Sequence, residues 1–259
     1  MDDIFFTVSG FALIFIATTL GSLLVFLFKN EISDGMNAVF LGSAAGIMIA
    51  ASIWSLLIPS IEGAKNYGSW SFVPATIGFI IGGLFLVILD KLVSRFYDGK
   101  DKGGLNSDIK KPIKMFFAMT IHNIPEGLAV GFAFGAACGD KGALFSALGL
   151  ALGIAIQNFP EGAAVSLPLK KATGSNLKAF LFGTGSGAVE PVAATVGYFL
   201  ATTLVKAQPW LLSFAAGAMI FVVAEDVIPD ARTEKYPRLG TWGVMLGFAV
   251  MMALDVALG

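Results

Sequence analysis

Residues 121–127 read I-H-N-I-P-E-G, and residues 156–162 read I-Q-N-F-P-E-G. His122, Asn123 and Glu126 of the first copy answer to Gln157, Asn158 and Glu161 of the second. On a helix, residues four apart share a face, which sets His122 beside Glu126 and Gln157 beside Glu161. Pro125 and Pro160 each remove a helix N–H and free the carbonyl one turn back, so two kinked helices are expected. Each would offer a carboxylate, nitrogen and oxygen donors, and loosened backbone.

Both copies lie inside long apolar runs. Of the 259 residues, 56% are hydrophobic and 14% are charged, against about 25% charged in ordinary soluble domains. Apolar runs of about 20 residues read as membrane-spanning helices. Eight are expected, at residues 4–28, 38–61, 72–96, 113–138, 143–169, 177–205, 210–228 and 239–258. The predicted fold is all-α: one polytopic transmembrane domain over residues 1–259, with an inverted-repeat-like helix bundle and a midplane metal site. A Gly-, Lys- and Asp-rich stretch at 97–112, between the third and fourth spans, is expected to be a mobile cytoplasmic loop. The net charge of −1 gives no reason to expect a nucleic-acid partner, and the single cysteine, Cys138, rules out a disulfide within the chain. The opening M-D-D-I lacks the basic stretch of a signal peptide, so the first span is expected to be retained.

Fourteen of the 17 Lys and Arg residues fall in the odd-numbered loops and the adjoining span ends. Those loops are therefore expected to face the cytoplasm, with both termini on the extracytoplasmic side. The expected location is a bacterial inner (plasma) membrane, with the lipid bilayer as the constant partner. Glycines recur at helix spacing, among them Gly42/Gly46, Gly78/Gly82, Gly127/Gly131/Gly135 and Gly243/Gly247, and predict close helix packing.

The fourth and fifth spans run in opposite directions, so the same motif enters the membrane from opposite sides. That is the pattern of an inverted repeat with a site near the midplane. Glu190, in A-V-E-P of the sixth span, adds a third carboxylate. A charge at the bilayer centre costs at least about 2.5–3.5 kcal/mol on insertion scales. No Lys or Arg lies in the middle of a span, so cations or protons must balance the three glutamates. One imidazole, three carboxylates and three amides, without a thiolate, suit Zn²⁺, Fe²⁺, Mn²⁺, Co²⁺ or Cd²⁺ and argue against Cu(I). Three ionised glutamates carry −3, so one divalent ion leaves −1 and two leave +1. Carboxylates left empty in low dielectric take up protons, which links metal release to protonation. Ser55, Glu62 and Asp255 lie at the outer ends of the second and eighth spans and fit an entrance. Asp90, Glu225, Asp226 and Asp230 lie at inner ends and fit an exit relay, Glu225 being the deepest. An ordinary interfacial charge accounts for each of these equally well.

Eight spans, external termini, a variable loop after the third span, and H-N-x-P-E-G paired with Q-N-x-P-E-G together resemble the ZIP (Zrt-, Irt-like protein) family of divalent metal transporters. The resemblance covers essentially the whole chain. It points to the compact branch with Q-N-x-P-E-G in the fifth span, found in bacteria and in one animal paralogue. It implies a primary metal site of His122, Glu126, Gln157 and Glu161. It implies a second site of Asn123, Asn158 and Glu190, with Glu126 and Glu161 bridging. The implied activity is uptake of zinc, or of Cd, Fe, Mn or Co, into the cytoplasm, with the metal as cargo and no catalytic cofactor. A homodimer and a rocking or elevator-like motion are further implications. Two features depart from the common pattern. Gln157 stands where many members have His, and the loop holds no histidine because His122 is the chain's only one. A metal-gated channel or sensor could use the same ligands. An intramembrane metallohydrolase is disfavoured, because H-E-x-x-H needs two histidines.

Overall fold

The computed structural model describes residues 2–28, 33–98, 107–233 and 235–258. Among them every regular element is helical. Helix α1 (Asp2–Ser22) runs on past Leu23 into the short α2 (Leu24–Leu27). Helix α3 (Asp34–Ala51) widens into a π-helical turn, Ser52–Leu57, and continues as α4 (Ile58–Gly63). Next come α5 (Phe72–Asp98), α6 (Ser107–Ala136) and α7 (Lys141–Thr173). Helices α8 (Asn176–Gly187) and α9 (Val189–Thr203) meet at a turn on Ala188. Helix α10 (Gln208–Val222) passes through a second π-helical turn, Val223–Val227, into α11 (Ile228–Ala231). Helix α12 (Leu239–Leu258) completes the bundle.

Among the described residues, six helical segments are long and apolar enough to cross a membrane: Asp3–Leu27, Asp34–Gly63, Phe72–Val93, Lys141–Thr173, Val205–Ala231 and Leu239–Leu258. They match six of the expected spans. The expected fourth and sixth spans correspond to α6 and to α8 with α9. Helix α6 opens on the polar S-D-I-K-K and carries the motif, which dilutes its apolar character. The α8–α9 segment is divided at Ala188 into pieces of 12 and 15 residues. Both nevertheless pack among the six. Of the expected loop 97–112, residues 99–106 lie outside the described residues, and the chain is already helical from Ser107.

Helix limits follow local chemistry. The Ser33 side chain accepts from Met36 N at the start of α3. Asp140 Oδ1 accepts from Gly142 N and Ala143 N at 2.8 and 3.2 Å and starts α7, as N-caps do. Gly174 ends α7 at φ 63°, a left-handed conformation that favours glycine. Pro125 and Pro160 sit inside α6 and α7, which stay continuous through them.

The strongest pairings are α3 with α12, α6 with α9, α1 with α7, and α5 with α10. Helix α6 also lies along α7, and α8 leans on α7 and α1. The bundle therefore has two groups: α1 with α6–α9, and α3, α5, α10 and α12. Within each group, glycines bring backbones into contact. A Cβ on Gly131 would overlap the Ala194 carbonyl, and one on Gly162 the Thr18 carbonyl. In the other group, Gly217 meets the Phe79 carbonyl and Gly247 the Ser43 carbonyl in the same way. Between groups the seam is different. Where α7 meets α12 at Gly153, the neighbour is the flexible Met251 side chain. In lipid, where no hydrophobic force drives helices together, such backbone approaches hold helices by close packing.

Gly131→Val should therefore part α6 from α9 and abolish the monodisperse peak in size-exclusion chromatography of detergent-solubilised protein. Gly185→Ala, whose Cβ would meet only Phe116, at 3.8 Å, should leave that peak unchanged.

Candidate metal site

The two motif copies face each other where α6 lies along α7. Asn123, Glu126, Gln157, Asn158 and Glu161 are all buried, as is Glu190 in the first turn of α9. Gln157 Nε2 donates to Glu126 Oε1 at 2.7 Å, tying the fifth-span copy to the fourth. Asn158 Nδ2 donates to Glu190 Oε2 at 2.7 Å. Asn123 Nδ2 donates to the Ser186 carbonyl at 2.8 Å. Each amide thus spends its N–H on a neighbour, and four buried oxygens are left without a partner: Asn123 Oδ1, Glu126 Oε2, Gln157 Oε1 and Asn158 Oδ1. Buried oxygens of this kind are costly unless something accepts their lone pairs. Glu126 is within electrostatic reach of both Glu161 and Glu190. Among the described residues no Lys or Arg is buried.

Glu190 owes its position to the turn at Ala188. Pro191 cannot donate to the carbonyl one turn back, which loosens the helix there. The carboxylate then lies in the first turn of α9, where a helix dipole favours negative charge.

His122 does not join Glu126. Its Nε2 lies 3.0 Å from Asp226 Oδ2, and it is the least enclosed of the polar motif side chains, with 11% of the side chain exposed. Among the described residues no three His, Cys, Asp or Glu groups converge on one point. The sequence marks Glu225 as the deepest inner acid, but Asp226 is the one that reaches the motif. The second π-helical turn presents it: Val223–Val227 adds a residue to the turn before Pro229, and Asp226 projects from it toward α6. The first π-helical turn acts likewise. Ser55 projects from Ser52–Leu57 and its hydroxyl donates to Asp255 Oδ1 of α12. Widened turns of this type recur at functional sites.

The three residues expected at an entrance also come together. Ser55, Glu62 and Asp255 line a cavity of about 1020 Å³, along with Ser146, Gln208 and Ala137. Asp255 Oδ2 is buried there without a partner, whereas Glu62 is exposed beside Lys65 at 3.9 Å. Asp90 and Glu225 are exposed and contribute no buried group. Between this cavity and the motif, α6 offers Ala129 and Val130, α7 offers Leu150 and Ile154, and α10 offers Ala215 and Met219, all fully buried. The motif is closed by apolar packing toward the cavity. It is least enclosed on the side of Asp226, near the basic residues that follow α11.

Comparison with known proteins places the chain in a family. A family model described as "ZIP Zinc transporter" matches residues 112–255, which include both motif copies, Glu190 and Asp226. The chain belongs to the ZIP family. Zinc transporter ZIP11 of Xenopus tropicalis is 38% identical, over 93% of this chain and 94% of its own. Zinc transporter ZIPB of Bordetella bronchiseptica is 36% identical over 98% and 82%, and zinc transporter GufA of Myxococcus xanthus is 35% identical over 94% and 95%. The resemblance drawn from the motif pair is borne out along nearly the whole chain. ZIP proteins are transporters, so the metallohydrolase alternative falls.

Two features of the site escaped sequence reasoning. Thr18 of α1 donates to Glu190 Oε1 at 2.9 Å, and the Ser186 carbonyl holds Asn123. A threonine in an apolar helix and a backbone carbonyl leave no signal in the sequence.

Gln157 turns its Nε2 to Glu126 and so presents Oε1, a neutral oxygen, inward. Gln157→His would replace that oxygen with imidazole nitrogen. Zinc should then compete more strongly against Mn²⁺ and Fe²⁺ in uptake assays, because imidazole favours zinc over the harder ions.

Proposed function

We propose that this protein carries divalent metal, zinc first among them, across the membrane into the cytoplasm. The metal passes through a site shared by α6, α7 and α9. The observation that carries this reading is the set of four unpartnered, buried oxygens on the two motif copies, beside carboxylates that no buried Lys or Arg among the described residues balances. A cation supplies what they lack. The names of the relatives, zinc transporters in an animal and in bacteria, point to the same cargo.

In this reading the primary position uses His122, Glu126, Gln157 and Glu161. A second position uses Asn123, Asn158 and Glu190, with Glu126 and Glu161 between them. His122 can serve through Nδ1 while Asp226 holds Nε2, a carboxylate–imidazole–metal arrangement common around metal ions. It can also leave Asp226 and serve through Nε2. Asp226 would then receive the departing ion on the cytoplasmic side. Ser55 and Asp255 recruit the ion on the opposite side, in the cavity that Glu62 also lines. With oxygen ligands predominating, the same site would admit Cd²⁺, Fe²⁺, Mn²⁺ and Co²⁺.

Passage from one side to the other requires opening the apolar layer between cavity and motif. The packing suggests how. Helices that touch backbone to backbone stay together, and the group bearing the motif shifts against the other along its side-chain seam. This is the motion expected of a carrier rather than of an open channel.

Glu126→Ala and Glu161→Ala should each abolish zinc uptake into proteoliposomes while leaving insertion and monodispersity intact. Near-normal uptake by either would overturn the shared site. Glu190→Gln removes the charge that makes a second ion tolerable, since two ions would then leave +2 at the site. Metal counting on purified protein should give two ions per chain for the parent and about one for the variant, because uncompensated charge in low dielectric is heavily penalised.

A further inference from the structure

Glu190 is the site carboxylate outside the repeated motif, yet both of its oxygens are held. Asn158 Nδ2 donates to Oε2 at 2.7 Å, and Thr18 Oγ1 donates to Oε1 at 2.9 Å. Glu126, by contrast, has Oε2 without a partner. Thr18 belongs to α1, which carries no charged or amide side chain to the site. The residue is 2% exposed and Glu190 is fully buried, so this contact forms away from solvent.

The Thr18 side chain is fixed by what surrounds it. Its methyl group lies in the space left by Gly187, where an added Cβ would come within 2.7 Å of Thr18 Cγ2. With the methyl seated, the hydroxyl has two acceptors, Glu190 Oε1 at 2.9 Å and the Ile14 carbonyl of its own helix at 3.3 Å. It carries one hydrogen. The shorter bond, to a carboxylate, is the stronger.

The consequence reaches the neighbouring ligand. Asn158 Nδ2 donates to Glu190 Oε2 at 2.7 Å and to the Ile14 carbonyl of α1 at 3.3 Å, and the shorter bond requires Glu190 to stay where Thr18 holds it. With the N–H spent there, Asn158 Oδ1 is turned away and left unpartnered. Thr18, Glu190 and Asn158 form a chain through which a hydroxyl on α1, together with the Ile14 carbonyl, bears on the direction of an oxygen on α7.

We propose that Thr18 is a positioning residue for the second ion: it fixes Glu190 so that this carboxylate and Asn158 Oδ1 address the same cation. The proposal rests on the metal-site reading above and adds α1 to it. Thr18 does not touch the ion. Its hydroxyl sets the affinity of the second position and leaves the first untouched.

The experiment counts zinc on purified full-length protein over a series of buffered zinc concentrations and measures zinc uptake into proteoliposomes in parallel. Thr18→Val keeps the shape and the methyl packing and removes the donor. Loss of a hydrogen bond to a charged group corresponds to about a tenfold change in affinity or more. We expect the second binding step to move to at least about tenfold higher zinc, with the first step unchanged. Thr18→Ser keeps the donor and should bind as the parent does. A parent-like second step in Thr18→Val overturns the proposal. So does an equal loss in Thr18→Ser, which would make the methyl packing the cause, and so does a parent protein with only one step. If Thr18→Val is not monodisperse, Thr18→Ala removes the donor without added volume and is judged by the same criteria. Glu126→Ala separates the two levels. If it still binds and transports zinc, the metal-site reading itself fails. If it does neither while Thr18→Val matches the parent, only the role of Thr18 is lost.

Discussion

Glu126, Glu161 and Glu190 are buried together in a helical bundle that buries no Lys or Arg among its described residues. Carboxyl groups removed from water need donors, protons or cations, and the cost rises when several share one low-dielectric space. Gln157 donates to Glu126, while Asn158 and Thr18 donate to Glu190. These donors serve one carboxyl oxygen or two at a time and leave four neighbouring oxygens without partners. A bundle built only for stability would bury apolar groups at these positions. Burial of acids that remain incompletely satisfied suits a compartment meant to be filled and emptied.

The helices are arranged around that compartment. The motif-bearing helices adhere to α1 and α9 through backbone contacts at glycines, and α3 with α12 and α5 with α10 adhere in the same manner. Polar ties across the seam are few. His122 to Asp226 is one, and Asp226 comes from a turn widened by one residue. The other widened turn supplies Ser55 to Asp255 in the cavity on the far side of the apolar layer. Each prolyl break, Pro59 and Pro229, thus comes with a polar side chain turned out of the regular helical row. The deviation from regular helix and the placement of a functional group are one event.

Much of this was legible beforehand. The apolar runs fix the helices, because backbone polar groups in hydrocarbon must be satisfied internally. The caps at Asp140, Ser33 and Gly174, by contrast, came to light only in the structure. The motif pair identifies the family and marks the candidate site, since its spacing places ligand-type side chains on one helical face whatever the rest of the chain does. The boundaries of the least apolar helices were harder. Helix α6 begins earlier than its hydrophobic run, with a polar first turn, and the α8–α9 segment breaks at Ala188, just before Pro191.

The sequence by itself determined the class of the protein, its apolar helices and its kinship to ZIP transporters, all of which depend on residue identity and short-range spacing. Only the tertiary structure decided which side chains meet. Spacing puts His122 beside Glu126, but the imidazole turns to Asp226, 104 positions away, since a rotamer is chosen by the nearest partner in space. Thr18 reaches Glu190 across 172 positions for the same reason. Contacts of that range depend on how helices pack: the glycine spacing marks faces that can approach closely, but which helix each face meets is settled only by the packing of the whole bundle.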